Sequence, residues 1–116
     1  MERNEEMRLP NRERAIIASD KLTDYLLNVE HKRGGPKARS LAQFGYNLNN
    51  WRQLETDIRQ YHLEAEVDRV KETVYGIRYE IRAPLQTPSG RPLVIRTIWQ
   101  IDEGTDYPRL LTLYPD

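Results

Sequence analysis
The apolar positions change their period part-way along the chain. Leu22, Tyr25 and Leu26 recur at i, i+3 and i+4, one face of a helix that Ser19 or Asp20 can cap and that runs to about Leu27. Lys21 lies one residue before that stripe, at the edge of the buried face. Lys37, Ala38, Arg39, Leu41 and Phe44 read as a second, short helix that stops at Gly45. Asn50 and Gln53 resemble a capping box. Behind them Trp51, Leu54, Ile58 and Tyr61 recur at i, i+3, i+7 and i+10, which assigns both aromatics to the core face of a third helix.

After His62 the period falls to two. Val67 and Val70 mark a weak or edge strand, and Tyr75-Gly76 reads as a bulge. Ile77, Tyr79, Ile81 and Ala83 alternate with Arg78, Glu80 and Arg82; past Pro88-Ser89-Gly90, Leu93, Ile95, Thr97, Trp99 and Ile101 alternate again. A hairpin loop centred on Ser89, with Gly90 left-handed, sets Tyr79 against Trp99, Ile81 against Thr97 and Ala83 against Ile95. Both apolar faces then coincide. Residues 102–108 form a further turn and Arg109 to Tyr114 a last strand. The pattern predicts an α+β domain, N-terminal helices packed on a C-terminal antiparallel sheet of three to four strands. Residues 1–14, charged and containing Pro10, read as a charged arm or irregular lead-in to a single domain over residues 15–116.

Composition narrows the function classes. The 18 basic and 18 acidic residues give zero net charge, which argues against a chain coated in basic charge for bulk nucleic-acid binding. A local basic site balanced by Glu64, Glu66, Asp68 and Glu72 is compatible with that total. The absence of cysteine removes disulfides, thiolate metal sites and a cysteine nucleophile. No apolar run approaches the roughly 20 residues of a membrane span, and the charged opening lacks an apolar signal segment. A cytoplasmic protein without membrane contact is expected.

The basic site has an obvious place. Between Asn28 and Arg39 the chain carries Lys32, Arg33, Lys37 and Arg39 with His31 and Gly34-Gly35, opposed only by Glu30. The glycines can take backbone angles closed to other residues, and Pro36 fits the first position of a helix. A glycine turn feeding a helix N-terminus aims backbone N–H groups at an anion, and Lys32, Arg33, Gly34 and Gly35 are therefore candidate phosphate-binding residues. The same stretch also reads as a solvated polar loop.

No metal motif is present: His31 and His62 share no ligand spacing, and Glu80-x-Arg82 replaces the lysine of an E-x-K nuclease motif with a residue that does not release a proton. No P-loop, dinucleotide fingerprint or nucleophile elbow occurs, so no cofactor is expected. Metal-free phosphodiester chemistry remains. RNA carries its own nucleophile, the 2′-OH, and requires a base, an acid and cations on the phosphorane oxygens. His31 supplies the one neighbouring side-chain type whose unperturbed pKa lies close to neutrality. Lys21, Lys37, Arg96 and Arg109 are the cation candidates, and Tyr75, Thr97 and Thr112 offer hydroxyls. Arg78, Arg82 and Arg96 also fit a solvated sheet face, and Thr97 fits a strand core.

The string Lys21-x-x-x-Tyr25-x-Leu27-Asn28-x-x-His31-x-x-Gly34-Gly35-x-Lys37-Ala38 resembles the opening of a bacterial polymorphic-toxin and toxin–antitoxin domain family. Gly45-Tyr46, Tyr75-Gly76-x-Arg78-Tyr79, Ser89-Gly90-Arg91, Arg96-Thr97-x-Trp99 and Pro108-Arg109-Leu110-x-Thr112-x-Tyr114 continue it, with Lys32 in place of the usual proline. The resemblance implies an arrangement similar to the barnase–EndoU–colicin–RelE ribonuclease superfamily. It also implies a metal-independent ribonuclease toxin with an RNA substrate and a small cognate antitoxin. His31, Lys21, Lys37, Arg96 and Thr112 are then the catalytic candidates; Tyr75, Arg78, Thr97 and Arg109 join the loop residues as substrate contacts. The alternative is a non-catalytic protein-interaction module with a toxin-like fold. Convergence of the five catalytic candidates in one cleft separates the two.

Overall fold
A computed structural model describes residues 7–116. Helix α1 is one α-turn, Ser19–Lys21, continued by a π-turn over Leu22–Leu26; α2 spans Gly35–Ala42. Helix α3, Trp51–Asp57, likewise ends in a π-turn, Ile58–His62. Four strands follow: β1 Val67–Thr73, β2 Gly76–Gln86, β3 Pro92–Asp102 and β4 Arg109–Pro115, in one antiparallel sheet of order β1-β2-β3-β4. This is the α+β arrangement predicted by the change of period, with the helices ahead of the sheet.

The hairpin register agrees with the alternation: Tyr79 pairs with Trp99, Ile81 with Thr97 and Ala83 with Ile95. The ladder ends at Gln86–Pro92, so the loop covers residues 87–91, with Gly90 at φ 85°. One face of the sheet presents Tyr79, Ile81, Leu85, Ile95, Trp99, Leu110 and Leu113 to Leu22, Leu26, Leu41, Leu54 and Ile58, all of them buried.

Several sequence-based expectations change. The π-turn of α3, closed by Leu63 N–H to the Ile58 carbonyl (3.0 Å), spans i to i+5 where an α-turn spans i to i+4, one residue more. The buried stripe therefore passes to His62, 0% exposed, while Tyr61 is turned out at 46%. The cap of α3 also forms earlier. Asn47 Oδ1 accepts from the Asn49 N–H and Asn50 Oδ1 from the Asn47 N–H, while Gln53 donates to Asp57. Tyr75 belongs to a two-residue turn between β1 and β2, since Thr73 pairs with Gly76; the register shifts fall at Asp68 and Leu111 instead. Of the expected lead-in, residues 1–6 lie outside the described residues. Its remainder holds a 3₁₀ turn over Arg12–Arg14 and is docked: Leu9 is fully buried, and the Met7 carbonyl accepts from the Val67 N–H. No helix among the described residues is long and apolar enough to cross a membrane.

Candidate functional site: an edge cluster of lysines and hydroxyls
Tyr25 is the centre of the site, and two local features put it there. The π-turn of α1, closed by Leu27 N–H to the Leu22 carbonyl (2.8 Å), lets Leu22, Leu26 and Leu27 all enter the core and leaves Tyr25 half-buried at its margin. The second is Gly34. Its φ of −83° is ordinary, so its backbone angles do not call for glycine. A Cβ on Gly34 would instead lie 2.0 Å from the Tyr25 carbonyl oxygen, and one on Gly35 2.7 Å from that of Val29. The two glycines are there so that α2 can start directly against α1.

The turn between them is held by His31. Its Nδ1 accepts from the N–H groups of Arg33 and Gly34, both at 3.0 Å, and its carbonyl accepts from Gly35 N–H at 2.8 Å. Three N–H groups expected to face an anion are thus already used. With Nδ1 as acceptor, the neutral ring carries its proton on Nε2. The ring stands edge-on to Tyr25, 4.9 Å between centroids.

β4 supplies the other half. Ile98 pairs with Thr112 and Trp99 with Leu110, which leaves Leu111 as the extra residue of a bulge. Leu110 and Leu113, three apart, are consequently both buried, while Leu111 and Thr112 are freed from the core. β4 is also an edge strand. Lys37, from the first turn of α2, reaches over that edge: its Nζ donates to Tyr25 Oη at 2.9 Å and to Thr112 Oγ1 at 2.8 Å. The two hydroxyls are 3.3 Å apart. Lys37 Nζ lies 5.1 Å from the Tyr25 ring centroid and 5.7 Å from that of Tyr114, and Lys21 Nζ 5.5 Å from Tyr25.

The electrostatics follow from that geometry. Neither Lys21 nor Lys37 forms an ion pair among the described residues. Burial acts to raise the Tyr25 pKa. The hydrogen bonds with Lys37 and Thr112, with the charges of Lys37 and Lys21, outweigh it and hold the phenol below its ordinary value. A phenol eased toward its anion beside two ammonium groups is equipped to bind phosphate and to accept a proton.

Four of the five catalytic candidates therefore surround one ring: Lys21, His31, Lys37 and Thr112. Arg96 does not join them. It pairs with Asp68 (2.7 Å), Glu80 (3.0 Å) and Asp116 (3.1 Å), which occupy its donors; Asp68 foremost and Asp116 raise its pKa further. Thr97 is fully buried, sharing its hydroxyl with His62 Nε2 and Trp99 Nε1, both at 2.8 Å, and so is unable to touch a substrate. Arg109 grips Asp102. Lys32 and Arg33 are exposed on the loop, and Tyr75 and Arg78 border a separate pocket. Sequence reasoning missed Tyr25, which it assigned to the core, and Tyr114. The signal for Tyr25 was its i+4 spacing from Lys21, which places both on one helix face.

The family pattern of a domain of unknown function, DUF6883, matches residues 8–116, nearly the whole chain. The chain belongs to this family. No curated protein sequence matches this DUF6883 chain. Its fold is similar to that of a chain in the contact-dependent growth inhibition toxin–immunity protein complex from Klebsiella pneumoniae 342. The TM-score is 0.63, with 13% sequence identity over 86% of this chain and 98% of that one. At that identity the likeness is one of fold.

Proposed function
We propose that this DUF6883 domain is a metal-independent ribonuclease toxin of the barnase–EndoU–colicin–RelE kind, acting in the cytoplasm and restrained by a small cognate antitoxin. The observation that carries the reading is the Lys37 ammonium held between the Tyr25 and Thr112 hydroxyls, with the Lys21 ammonium 5.5 Å from the Tyr25 ring centroid and no carboxylate among the described residues paired to either lysine. The similarity of fold to a chain of a toxin–immunity protein complex supports the toxin and partner parts of the proposal.

In this mechanism a phosphodiester lies over Tyr25, between Lys21 and Lys37. Tyr25 takes the 2′-OH proton as that oxygen attacks phosphorus, and the bond to the 5′ oxygen breaks. The ammonium groups stabilise the charge on the phosphorane; Lys37 gives a proton to the leaving 5′ oxygen and regains one from Tyr25 across their hydrogen bond. His31 is recast. Protonating its Nδ1 would sacrifice two hydrogen bonds, so the ring serves as a neutral Nε2–H donor to the phosphate and not as the proton-transfer group the sequence alone pointed to. Products are a 2′,3′-cyclic phosphate and a 5′-hydroxyl.

The test is cleavage of RNA by purified protein in the presence of EDTA. Tyr25→Phe is expected to lower kcat by about 10²–10⁴-fold with an unchanged circular dichroism spectrum. A 2′-deoxy substitution at the cut site should abolish cleavage. Equal rates for Tyr25→Phe and wild type, or for deoxy and ribose substrates, would overturn the mechanism.

A further inference from the structure
The outer face of the sheet carries a pocket of about 330 Å³, lined by Tyr75, Arg78, Gln100, Asp102, Arg109 and Leu111. That volume is at the small end of the ~300–1,000 Å³ usual for ligand pockets, which suits one planar ring system. The pocket adjoins the edge cluster through the β4 bulge, since Leu111 lines it and the next residue, Thr112, binds Lys37. We propose that this pocket holds the nucleobase next to the cut and selects guanine and uracil over adenine and cytosine. The inference rests on the ribonuclease reading of the edge cluster and adds its substrate preference.

Three features carry it. Tyr75 is 68% exposed at the tip of the β1–β2 turn, yet the turn itself is tied down: Thr73 Oγ1 accepts from Tyr75 N–H (3.1 Å) and donates to the Gly76 carbonyl (2.9 Å). A large aromatic ring presented to solvent on a fixed turn is a stacking platform. Arg78 has a buried Nε–H with no partner and forms no ion pair among the described residues. A buried guanidinium donor left unpaired is costly, and an acceptor on a ligand completes it. Asp102, which also accepts both bonds from Arg109, fixes the Gln100 amide by accepting from its Nε2 at 2.6 Å. Oε1 is then the acceptor end of that side chain.

The pocket thus offers an obligatory donor, Arg78, beside an amide acceptor, Gln100. Guanine presents a carbonyl acceptor next to a ring N–H, O6 beside N1–H, and uracil does the same with O4 beside N3–H. Adenine and cytosine reverse the order, an exocyclic amine donor beside a ring nitrogen acceptor. The first pair matches the pocket and the second meets it donor to donor.

The experiment has two arms. In the first, deoxyoligonucleotides carrying a single ribonucleotide, with each of the four bases on either side of the cut, are cleaved by purified protein. Wild type is expected to favour guanine and uracil by about tenfold or more in kcat/KM. Arg78→Ala should bring the four bases to near equality, and Tyr75→Ala should raise KM by about tenfold for all of them. In the second, wild-type protein is titrated with GMP, UMP, AMP and CMP and followed by NMR. GMP and UMP should shift the Tyr75 and Gln100 resonances at concentrations where AMP and CMP do not, and Arg78→Ala should remove the difference. Equal cutting at all four bases, or a preference that survives both substitutions, overturns the proposal. So does a titration in which none of the nucleotides, or all of them alike, shift those resonances. If no substrate is cut but GMP and UMP bind selectively, the ribonuclease reading fails and the pocket stands.

Discussion

Burial holds the His62 imidazole neutral, with its pKa pushed down to about 4 from the usual 6.5. Because the folded-state value lies below the unfolded one, the stabilisation is fully present above pH 6.5 and is lost as the pH falls toward 4. At about 1.36 kcal/mol per pH unit, the loss across that window is roughly 3 kcal/mol. Thermal unfolding from pH 7 to 4 should show it, and His62→Gln should flatten the dependence while lowering Tm at pH 7, since the side chain packs in the core. A slope identical to wild type would show that another group is responsible. The helical spacing of Trp51, Leu54, Ile58 and Tyr61 leaves His62 off the buried stripe; the π-turn is what brings it inside. For Tyr25 the sign is opposite in consequence. A base must be deprotonated to act, so kcat should rise with pH up to the lowered phenol pKa, and that limb should vanish in Tyr25→Phe.

At the scale of elements, the site exists because three pieces of chain are forced into unusual local geometry. Two are the contact of Gly34 with α1 and the β4 bulge; the third is the π-turn that carries Tyr25. Gly34→Ala drives a methyl into the Tyr25 carbonyl oxygen. Overpacking of this sort costs about 1–3 kcal/mol, and here the relief available is for α2 to move away, taking Lys37 from Tyr25. The variant should lose stability by chemical denaturation and lose cleavage disproportionately to its fraction folded. Deletion of Leu111 tests the bulge. Without the extra residue the buried spacing of Leu110 and Leu113 fails, and expelling one leucine from the core costs about 2–5 kcal/mol. Leu111→Ala, which keeps the bulge, should cost far less in the same denaturation series.

At the scale of the whole molecule, the charges sort into two populations. Arg96 gathers Asp68 from β1, Glu80 from β2 and Asp116 from the C-terminal end, and Arg82 shares Asp116, so these two arginines are neutralised within the sheet. The lysines at the β4 edge are left without counter-charges among the described residues. Zero net charge therefore coexists with a local cationic site. The hydrogen bond from Arg96 holds the Asp68 carboxyl below its ordinary value, so its contribution is present above pH 3.8 and fades as the pH falls further. Arg96→Ala should accordingly lower Tm at pH 7 and have a much smaller effect near pH 2. An equal effect at both would mean that Arg96 acts through packing alone.

The sequence by itself determined whatever depends on neighbours in the chain. The alternation on either side of Ser89 could bury only one set of side chains, so the Tyr79–Trp99 register followed. Gly45 and Gly90, both at positive φ, were legible as a helix stop and a turn. The cluster around Tyr25 was legible in part: Lys21, His31, Lys37 and Thr112 were picked by their chemistry, but Tyr25 was counted as core because Leu22, Tyr25 and Leu26 keep helical spacing. Only the tertiary structure decided the rest. A π-turn changes the phase of a helix without changing its residues, an edge bulge depends on what lies opposite, and the need for glycine at Gly34 comes from a second segment touching it. The fate of Arg96 was settled the same way, by the carboxylates that the fold brought within reach across 16 to 28 residues of chain.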